Sequence, residues 1–209
     1  AERPRETPTP TVLAVRPITV MAVAGSADNV FRTLQSLPGI AATSEFDSRI
    51  AVRGGSPDEN LTIMDGVEIH NPYRLFGLTS AFNPETVRSF DLFAGAFSSK
   101  YGDRLSSLLV VENRPGSDAE RFSGSTAVSL TDANAVFEGR LPGDEKGSWI
   151  VTARRTYYDL VANSLVGTEL PGFGDLQGRL DWNLRPGTRL TFFGLLSREA
   201  TDAFFEGDR

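Results

Sequence analysis

The chain has 209 residues, of which 40% are hydrophobic and 23% are charged, and its formal net charge is −6 at pH 7. This composition fits one large or two small folded units, and it argues against disorder and against a sequence-independent nucleic-acid surface. The absence of cysteine excludes disulfides, thiolate metal sites and a cysteine nucleophile. The single histidine, His70, excludes a histidine-rich metal site.

Residues 1–11 are polar and rich in proline, which is typical of a linker or a cut end, and they show no signal-peptide pattern. No stretch approaches the about 20 consecutive apolar residues of a membrane-spanning helix. After the linker, TVLAVRPITVMAV is predicted to be extended. Pro17 favours an edge position in a sheet, because proline cannot donate to a strand ladder.

A helix is predicted next, with Ser26 as a candidate N-cap and Pro38 at its end. Apolar residues lie between them at helical spacing: Val30, Phe31, Leu34 and Leu37. Four later segments are each bounded by Gly, Pro, Asn or Asp, and we expect them to be strands: RIAVR, LTIMD, VRSFDLFAG and LSSLLVVEN. Residues 12–116 are therefore expected to form one small α+β domain.

Residues 117–209 follow a period-two pattern that predicts about five antiparallel strands of about 10 residues each. In FGDLQGRLDWNL one face carries the polar residues Asp175, Gln177, Arg179, Asp181 and Asn183. The opposite face carries Leu176, Leu180, Trp182 and Leu184. A soluble sheet with one wet face and the wall of a membrane β-barrel both produce this alternation, so the pattern leaves both structures open.

The connections between these strands favour the barrel. DLVANSLVGTELPG after the third strand is long and RPGT after the fourth is tight, which suits long loops on one side of a membrane and short turns on the other. A barrel needs many more strands than five. In that case the chain is expected to be a fragment that contains only the start of the barrel.

The order of turns in the first half carries a family resemblance. One strand ends in Arg53-Gly54, the next ends in Asp65-Gly66, and a later strand reaches Ala94-Gly95 before a Tyr101-Gly102 turn and a last apolar strand. This series, followed by amphipathic strands, resembles the plug domain of TonB-dependent outer-membrane receptors over about residues 26–116. The sequence departs from the family pattern twice. The family's RGP reads AGA at residues 94–96, and its glycine pair reads Ser106-Ser107.

The resemblance implies a fold and a function. The fold is an α+β plug domain with a small mixed sheet, followed by antiparallel amphipathic β-strands that begin a transmembrane β-barrel. The function is energised uptake of a scarce nutrient (a siderophore, cobalamin, glycan or similar) across the outer membrane of a Gram-negative bacterium. The implied partners are a periplasmic TonB-type energy-coupling protein, outer-membrane lipid, and a small-molecule, glycan or peptide ligand. No nucleic acid, cofactor or enzymatic activity is expected.

Two further features follow from the resemblance. TPTVLAV has the look and position of a TonB box, the short extended segment that the coupling protein pulls. The segment DGVEIHNPYRLFGL is similar to a subgroup that often carries an N-terminal carboxypeptidase-regulatory-like domain.

The resemblance also assigns site residues. Arg53 ends an apolar strand, so its charge is expected to pair either inside the plug or with barrel-wall carboxylates that lock the plug in place. Two turns are expected to face outward and contact ligand through Asp58, Glu59, Asn60, His70, Asn71, Tyr73 and Arg74. The alternatives are an ordinary solvated loop for these seven residues, or packing of Tyr73 and Phe76 against the barrel wall.

The remaining polar and glycine positions are expected to be structural. Gly54, Gly55 and Gly66 are expected to serve positive φ or a tight turn, and Asp65 is expected to cap its own turn. His70 has no nucleophile at a recognisable spacing, and no second carboxylate or histidine lies at ligand spacing from Asp65, so no catalytic or metal site is predicted. The alternative function is a soluble periplasmic or surface interaction module without transport activity.

Overall fold

The computed structural model describes residues 12–15, 29–44, 47–77, 79–94, 100–102, 106–129, 132–142, 146–157 and 172–200. The chain divides into two compact units, Ala1–Arg114 and Pro115–Arg209. Pro17, the predicted N-cap Ser26 and the first residues of TPTVLAV lie outside the described residues.

The first unit combines one helix with short strands. In chain order its elements are β1 Val12–Val15, α1 Val30–Gln35, β2 Ile40–Ser44, β3 Asp47–Val52, a 3-10 turn at Pro57–Glu59, β4 Asn60–Met64, β5 Val67–Glu68, β6 Tyr73–Arg74, a 3-10 turn at Leu75–Gly77, β7 Thr79–Ser80, β8 Val87–Phe93 and β9 Ser107–Asn113. The main sheet has the order β1-β8-β9-β4-β5, while β2-β3 and β6-β7 form two small hairpins. β4 and β9 are parallel and the other neighbours in the main sheet are antiparallel, so the sheet is mixed.

Helix α1 is short because its two ends are marked by strong local signals. The Asn29 side chain accepts a hydrogen bond from the Phe31 backbone N–H at 3.0 Å, which caps the helix at its start. The helix ends at Gln35, and Gly39 adopts a φ of +81° in the turn that follows. Leu37, expected on the helix, therefore lies beyond its end.

The core of the first unit lies between α1 and one face of the main sheet. The Phe31 and Phe82 rings are 5.7 Å apart and the Phe82 and Phe90 rings are 6.1 Å apart, each pair at tilted angles. All three rings are almost fully buried, and each buried side chain of this size contributes about 1.5–3 kcal/mol through its removal from water.

The second unit is a five-stranded antiparallel meander. Its strands are β10 Ser123–Val128, β11 Asp132–Arg140, β12 Lys146–Thr156, β13 Gly172–Arg185 and β14 Thr188–Ala200, paired in sequence order. β12 leads into residues 157–171 at one end of the sheet, and residues 186–187 connect β13 to β14 at the other end. The predicted alternation of long and tight connections holds for this pair, but the short connection between β10 and β11 lies at the same end as residues 157–171. We call these ends the long-loop end and the tight-turn end.

The sheet has an inverted polarity: its polar face is buried and its apolar face is exposed, the reverse of a soluble sheet. Asp175, Gln177 and Asp181 on one face of β13 are 7%, 2% and 3% exposed. The apolar face is open instead, with Leu176 of β13 47% exposed and Leu196 of β14 70% exposed. Leaving such residues in water is unfavourable by about 25 cal/mol per Å² of apolar surface, whereas lipid removes that cost. The arrangement therefore fits a membrane barrel wall and disfavours a soluble sheet with one wet polar face.

Within the part of the chain that the structure describes, no α-helix has the length and apolar character needed to cross a membrane.

Candidate functional site

The Arg53-Gly54 turn brings the chain from β3 towards β4. Arg53 and Gly54 have φ values of +50° and +82°, and the Gly55 N–H donates to the Val52 carbonyl at 3.0 Å. Two successive positive φ angles closed by such a bond define a type I′ turn, which explains the glycine at its second position. The Arg53 side chain is exposed. It forms no salt bridge with any carboxylate among the described residues, so a partner within this part of the plug is not seen.

Gly55 serves close packing rather than positive φ. A Cβ placed on Gly55 would lie 2.5 Å from the Ser106 Oγ and 2.7 Å from the Ser106 Cβ. The Ser106 hydroxyl donates to the Val52 carbonyl at 2.7 Å, and the Ser106 N–H donates to the Glu59 carbonyl at 3.2 Å. The segment that leads into β9 is therefore fixed against both ends of the first candidate loop, residues 53–59.

The SPDEN turn forms a short 3-10 helix at Pro57–Glu59 and then enters β4. Asp58 is exposed, whereas the Asn60 side chain is used to hold the turn. Its amide donates to the Ile50 carbonyl at 2.8 Å, and its oxygen accepts from the Ser107 hydroxyl at 2.7 Å. These bonds give Asn60 an internal role, and its contact with ligand stays a prediction.

A tight hairpin returns the chain to the same end of the sheet. Asp65 and Gly66 have φ values of +49° and +87°, which again form a type I′ turn, and β5 runs antiparallel to β4. The Ile69 N–H donates to the Thr62 carbonyl at 2.9 Å, so the strand pairing continues back along β4. The hairpin thus carries the second candidate loop, residues 70–74, towards Asn60 and the SPDEN turn.

Tyr73 joins the two loops. Its ring lies 4.5 Å from the Phe31 ring, its hydroxyl accepts a long hydrogen bond of 3.4 Å from the Ile50 N–H, and Asn60 lies close enough to act on the same hydroxyl. Burial raises the pKa of Tyr73 to about 12, because its effect is larger than the opposing effect of the hydrogen bonds to the hydroxyl. The half-buried Tyr73 therefore connects the two loops through its ring and its hydroxyl group. Its contact with ligand stays a prediction.

The other residues of the second loop are more exposed. His70 Nδ1 lies 3.3 Å from Glu68 Oε1, and its side chain is 86% exposed. Asn71 is exposed, and its side-chain oxygen accepts from the Tyr73 N–H at 3.2 Å. Arg74 donates from Nη1 to the Asn71 carbonyl at 2.5 Å and to the Tyr73 carbonyl at 3.1 Å, which ties the loop together.

Sequence reasoning missed Arg49 as a member of this site. Its guanidinium binds Asp47 with Nε and Nη2 each 2.6 Å from Oδ2, and it acts electrostatically with Asp58 and Tyr73. Burial raises the pKa of Asp47, but hydrogen bonds and charge from Arg49 outweigh it and hold that pKa below its usual value. The sequence signal for this pair was its i, i+2 spacing, which places Asp47 and Arg49 on the same face of a strand.

Asp65 faces the opposite end of the first unit from the two candidate loops. The sequence predicts that Asp65 caps its own turn. In the structure its carboxylate accepts from the Asn113 N–H at 3.1 Å and from the Asn113 side-chain amide at 2.7 Å. The Asp65 turn is thereby fastened to the last strand of the plug, 48 residues further along the chain.

The described residues contain no group of three or more His, Asp or Glu side chains that could hold a metal ion. The site is instead a set of loops that present polar side chains at one edge of a sheet. Its exposed members are Arg49, Asp58, His70 and Asn71, with Arg53 on the adjoining turn.

Comparison with known proteins gives one family match, which covers part of the chain. Residues 9–107 match the family model described as TonB-dependent Receptor Plug Domain. No curated protein matches the chain significantly.

Solved structures with a similar fold include three receptors of Pseudomonas aeruginosa. The siderophore receptor PirA is 19% identical with a TM-score of 0.64 over 92% of this chain and 36% of its own. The ferric enterobactin receptor PfeA, a mutant in complex with enterobactin, is 18% identical with a TM-score of 0.60 over 92% and 33%. The pyoverdine outer membrane receptor FpvA, bound to pyoverdine, is 19% identical with a TM-score of 0.57 over 94% and 28%.

At these identities the likeness is one of fold. The chain spans about a third of the length of PirA. The predicted fold, a plug domain with a mixed sheet followed by the opening antiparallel strands of a barrel, is confirmed by the family match and by these structures.

Proposed function

We propose, on the premise that residues 9–107 are a TonB-dependent receptor plug domain, that this chain is the plug and opening barrel wall of a nutrient importer. The importer lies in the outer membrane of a Gram-negative bacterium and takes up a scarce ligand. A periplasmic TonB-type protein supplies the energy by pulling the N-terminal segment. No covalent chemistry is part of this function.

The observation that carries the proposal is the inverted polarity of the second unit. A plug domain leads directly into strands whose polar residues are buried and whose apolar residues are exposed. Leu176, Phe192 and Leu196 are suited to contact lipid, while Asp175, Gln177 and Asp181 are suited to face the interior of a barrel. A soluble interaction module would expose the second set and bury the first.

The ligand-facing surface in this proposal consists of the two loops that converge at the sheet edge. Asp58, His70 and Asn71 are exposed there, and Glu59 and Arg74 lie beside them. Asn60 and Tyr73 shape the surface through their internal hydrogen bonds. Because PirA is a siderophore receptor and the PfeA and FpvA structures contain enterobactin and pyoverdine, a siderophore is the first ligand class to test.

The segment that the coupling protein is proposed to bind and pull is TPTVLAV. Its last four residues form β1, which is an edge strand that pairs with β8 in the register Val12 opposite Phe93 and Val15 opposite Phe90. An edge strand of four residues is held by few backbone hydrogen bonds, so it can be detached without disrupting the centre of the sheet.

The test uses the full-length receptor that contains this chain. We expect it to fractionate with the outer membrane, to need detergent for extraction, and to support uptake of labelled ferric siderophores only when the coupling protein is present. A panel of siderophores, cobalamin and oligosaccharides identifies the ligand class. A full-length protein that is soluble in plain buffer, or uptake that is equal without the coupling protein, would contradict the proposal.

A further inference from the structure

The second unit contains a cavity of about 430 Å³ at the tight-turn end of its sheet. Its lining residues are Pro115, Gly116, Asp118, Arg140, Gly147, Ser148, Asp181, Asn183 and Arg189. Residues 115–120, which we call the strap, precede β10, and Pro115, Gly116 and Asp118 supply one wall of the cavity. The polar face of β11 to β14 supplies the other wall.

The strap is held against the strands at several points. Gly116 is buried, and a Cβ on it would overlap the carbonyl group of Trp149 in β12. The Ser117 N–H donates to the Glu138 carboxylate at 2.9 Å, and the Arg140 N–H donates to the Glu120 carbonyl at 2.9 Å. The wall of the cavity that the strap supplies is therefore held in place by close packing and by hydrogen bonds to β11.

The opposite wall is a row of cross-strand partners on the polar face. Arg140 pairs with Ser148, Ser148 with Asp181, and Asp181 with Thr191. The next row towards the tight turn places Asn183 opposite Arg189. The pleat puts these side chains on one side of the sheet, so they converge on the same space.

The lining residues carry equal numbers of positive and negative charges, Arg140 and Arg189 against Asp118 and Asp181. Asp181 is paired with Arg179, which does not line the cavity, and Arg189 acts on Asp181 more weakly than Arg179 does. Asp181 is already engaged, because Arg179 Nε lies 2.7 Å from its Oδ2 and the Thr191 hydroxyl donates to its Oδ1 at 2.7 Å. Arg189 donates from Nε to the Asn183 oxygen at 3.0 Å, which fixes the position of its guanidinium. The Arg140 guanidinium has no hydrogen bond or ion pair with any described residue.

The donors left for a ligand are the Arg140 fork, the terminal nitrogens of Arg189 and the Ser148 hydroxyl. The one acceptor group with an uncommitted charge is the Asp118 carboxylate on the strap, which no described residue binds. A guanidinium fork matches the two oxygens of a carboxylate or phosphate and forms charge-assisted hydrogen bonds with them.

We propose that this cavity is a binding site for an oxyanion, either the carboxylate or the phosphate group of a solute, held by Arg140, Arg189 and Ser148. Asp118 opposes such an anion and sets its affinity low enough for release. That the bound group belongs to a solute passing through the barrel rests on the proposed function. The binding itself does not depend on that function.

The test measures binding of citrate and of inorganic phosphate, in separate titrations, to the full-length receptor in detergent without the coupling protein. Glucose serves as the uncharged probe. We expect a combined Arg140→Gln and Arg189→Gln variant to lose at least about tenfold in affinity for the anion that binds, since two charge-assisted contacts are removed. The two probes separate carboxylate from phosphate chemistry.

A matched control carries Arg121→Gln and Arg185→Gln, because these two arginines are exposed and do not line the cavity. It makes the same change of net charge and is expected to bind the anion as the unaltered receptor does. Asp118→Asn provides a second test in which the fold is not weakened by losing arginines. It is expected to strengthen anion binding several-fold.

Equal anion affinity in the cavity variant and the control variant would show that the anion does not bind in this cavity. Failure of both anions to bind, or no gain from Asp118→Asn, would also overturn it. A receptor that imports no nutrient but loses citrate affinity only in the cavity variant would support this site and contradict the proposed function.

Discussion

Arg154 in β12 and Asp175 in β13 are direct cross-strand partners and form a buried salt bridge. Arg154 Nε and Nη2 each lie 2.7 Å from Asp175 Oδ2, and the two side chains are 7% and 1% exposed. The guanidinium carbon also lies 5.2 Å from the centre of the Phe173 ring. The pair lies near the long-loop end of the sheet and joins two strands of the barrel wall through their polar face.

Removing the cation from this pair is expected to destabilise the barrel. Arg154→Met leaves the Asp175 charge buried, which costs about 3–5 kcal/mol, whereas replacing both residues by Met and Leu restores most of that loss. Arg155→Met is the control, because Arg155 is exposed. The free energy of unfolding of the full-length receptor in urea measures the effect. Equal losses for Arg154→Met and Arg155→Met would contradict the prediction.

The bonds from Asp65 to Asn113 are expected to stabilise the plug. Asp65→Ala removes both bonds, leaves the buried Asn113 amide without them, and places alanine at a φ of +49°, so we expect a loss of about 2–4 kcal/mol. Asp65→Asn keeps a side chain that tolerates positive φ and accepts one bond, so its loss is smaller. Hydrogen exchange of the β4 and β9 amides in the receptor measures the loss of stability in each variant. Equal losses in Asp65→Ala and Asp65→Asn would contradict the prediction.

Tyr73 is expected to make the plug sensitive to alkaline pH. Burial raises its pKa from the ordinary value of 10.0 to about 12. Because the folded pKa lies above the unfolded one, this stabilising contribution is complete below pH 10 and is lost as the pH rises towards 12. Over that window the plug loses about 2–3 kcal/mol.

The ultraviolet absorbance of tyrosinate, compared between the receptor and Tyr73→Phe, gives the pKa of Tyr73 directly. The alkaline loss of stability is expected to be smaller in Tyr73→Phe. A Tyr73 hydroxyl that titrates near pH 10 would show that the two candidate loops are not joined through a buried ring.

Gly116 is expected to tolerate no side chain. Gly116→Ala forces a Cβ into the Trp149 backbone, so the strap must shift and the barrel is destabilised by about 1–3 kcal/mol. Gly178→Ala is the matched control, because Gly178 has no heavy atom within 4 Å of an added Cβ and lies in a strand. The urea midpoint of the receptor measures both, and similar midpoints would argue that the strap is loosely held.

Arg53 stays a predicted lock between plug and barrel. Among the described residues its side chain has no salt bridge, which leaves the charge for a carboxylate elsewhere in the receptor. Arg53→Ala is expected to loosen the plug and raise passive leakage of small antibiotics through the receptor, while Arg53→Lys keeps most of the seal. Arg88→Ala serves as the control, since Arg88 is also exposed on the plug. Unchanged leakage of small antibiotics through the Arg53→Ala receptor would contradict this role of Arg53.

The local signals of this sequence determined much of the first unit. Glycine after Arg53 and after Asp65 predicted two tight turns, and both are type I′ turns with positive φ. Pro38-Gly39 predicted the end of the helix, and the order of these signals predicted the plug fold. These inferences held because turn chemistry acts over a few residues and needs no information from the rest of the chain.

Only the tertiary structure decided how distant residues meet. Period two placed Asp175, Gln177 and Asp181 on one face of β13, but alternation is the same for a soluble sheet and a barrel wall, and burial alone distinguished them. Likewise, the bonds from Asp65 to Asn113, the packing of Tyr73 on Phe31 and the contact of Gly116 with Trp149 depend on strand pairing between segments far apart in the chain. Such contacts leave no local pattern, because the partner of each residue is set by the register and packing of the whole sheet.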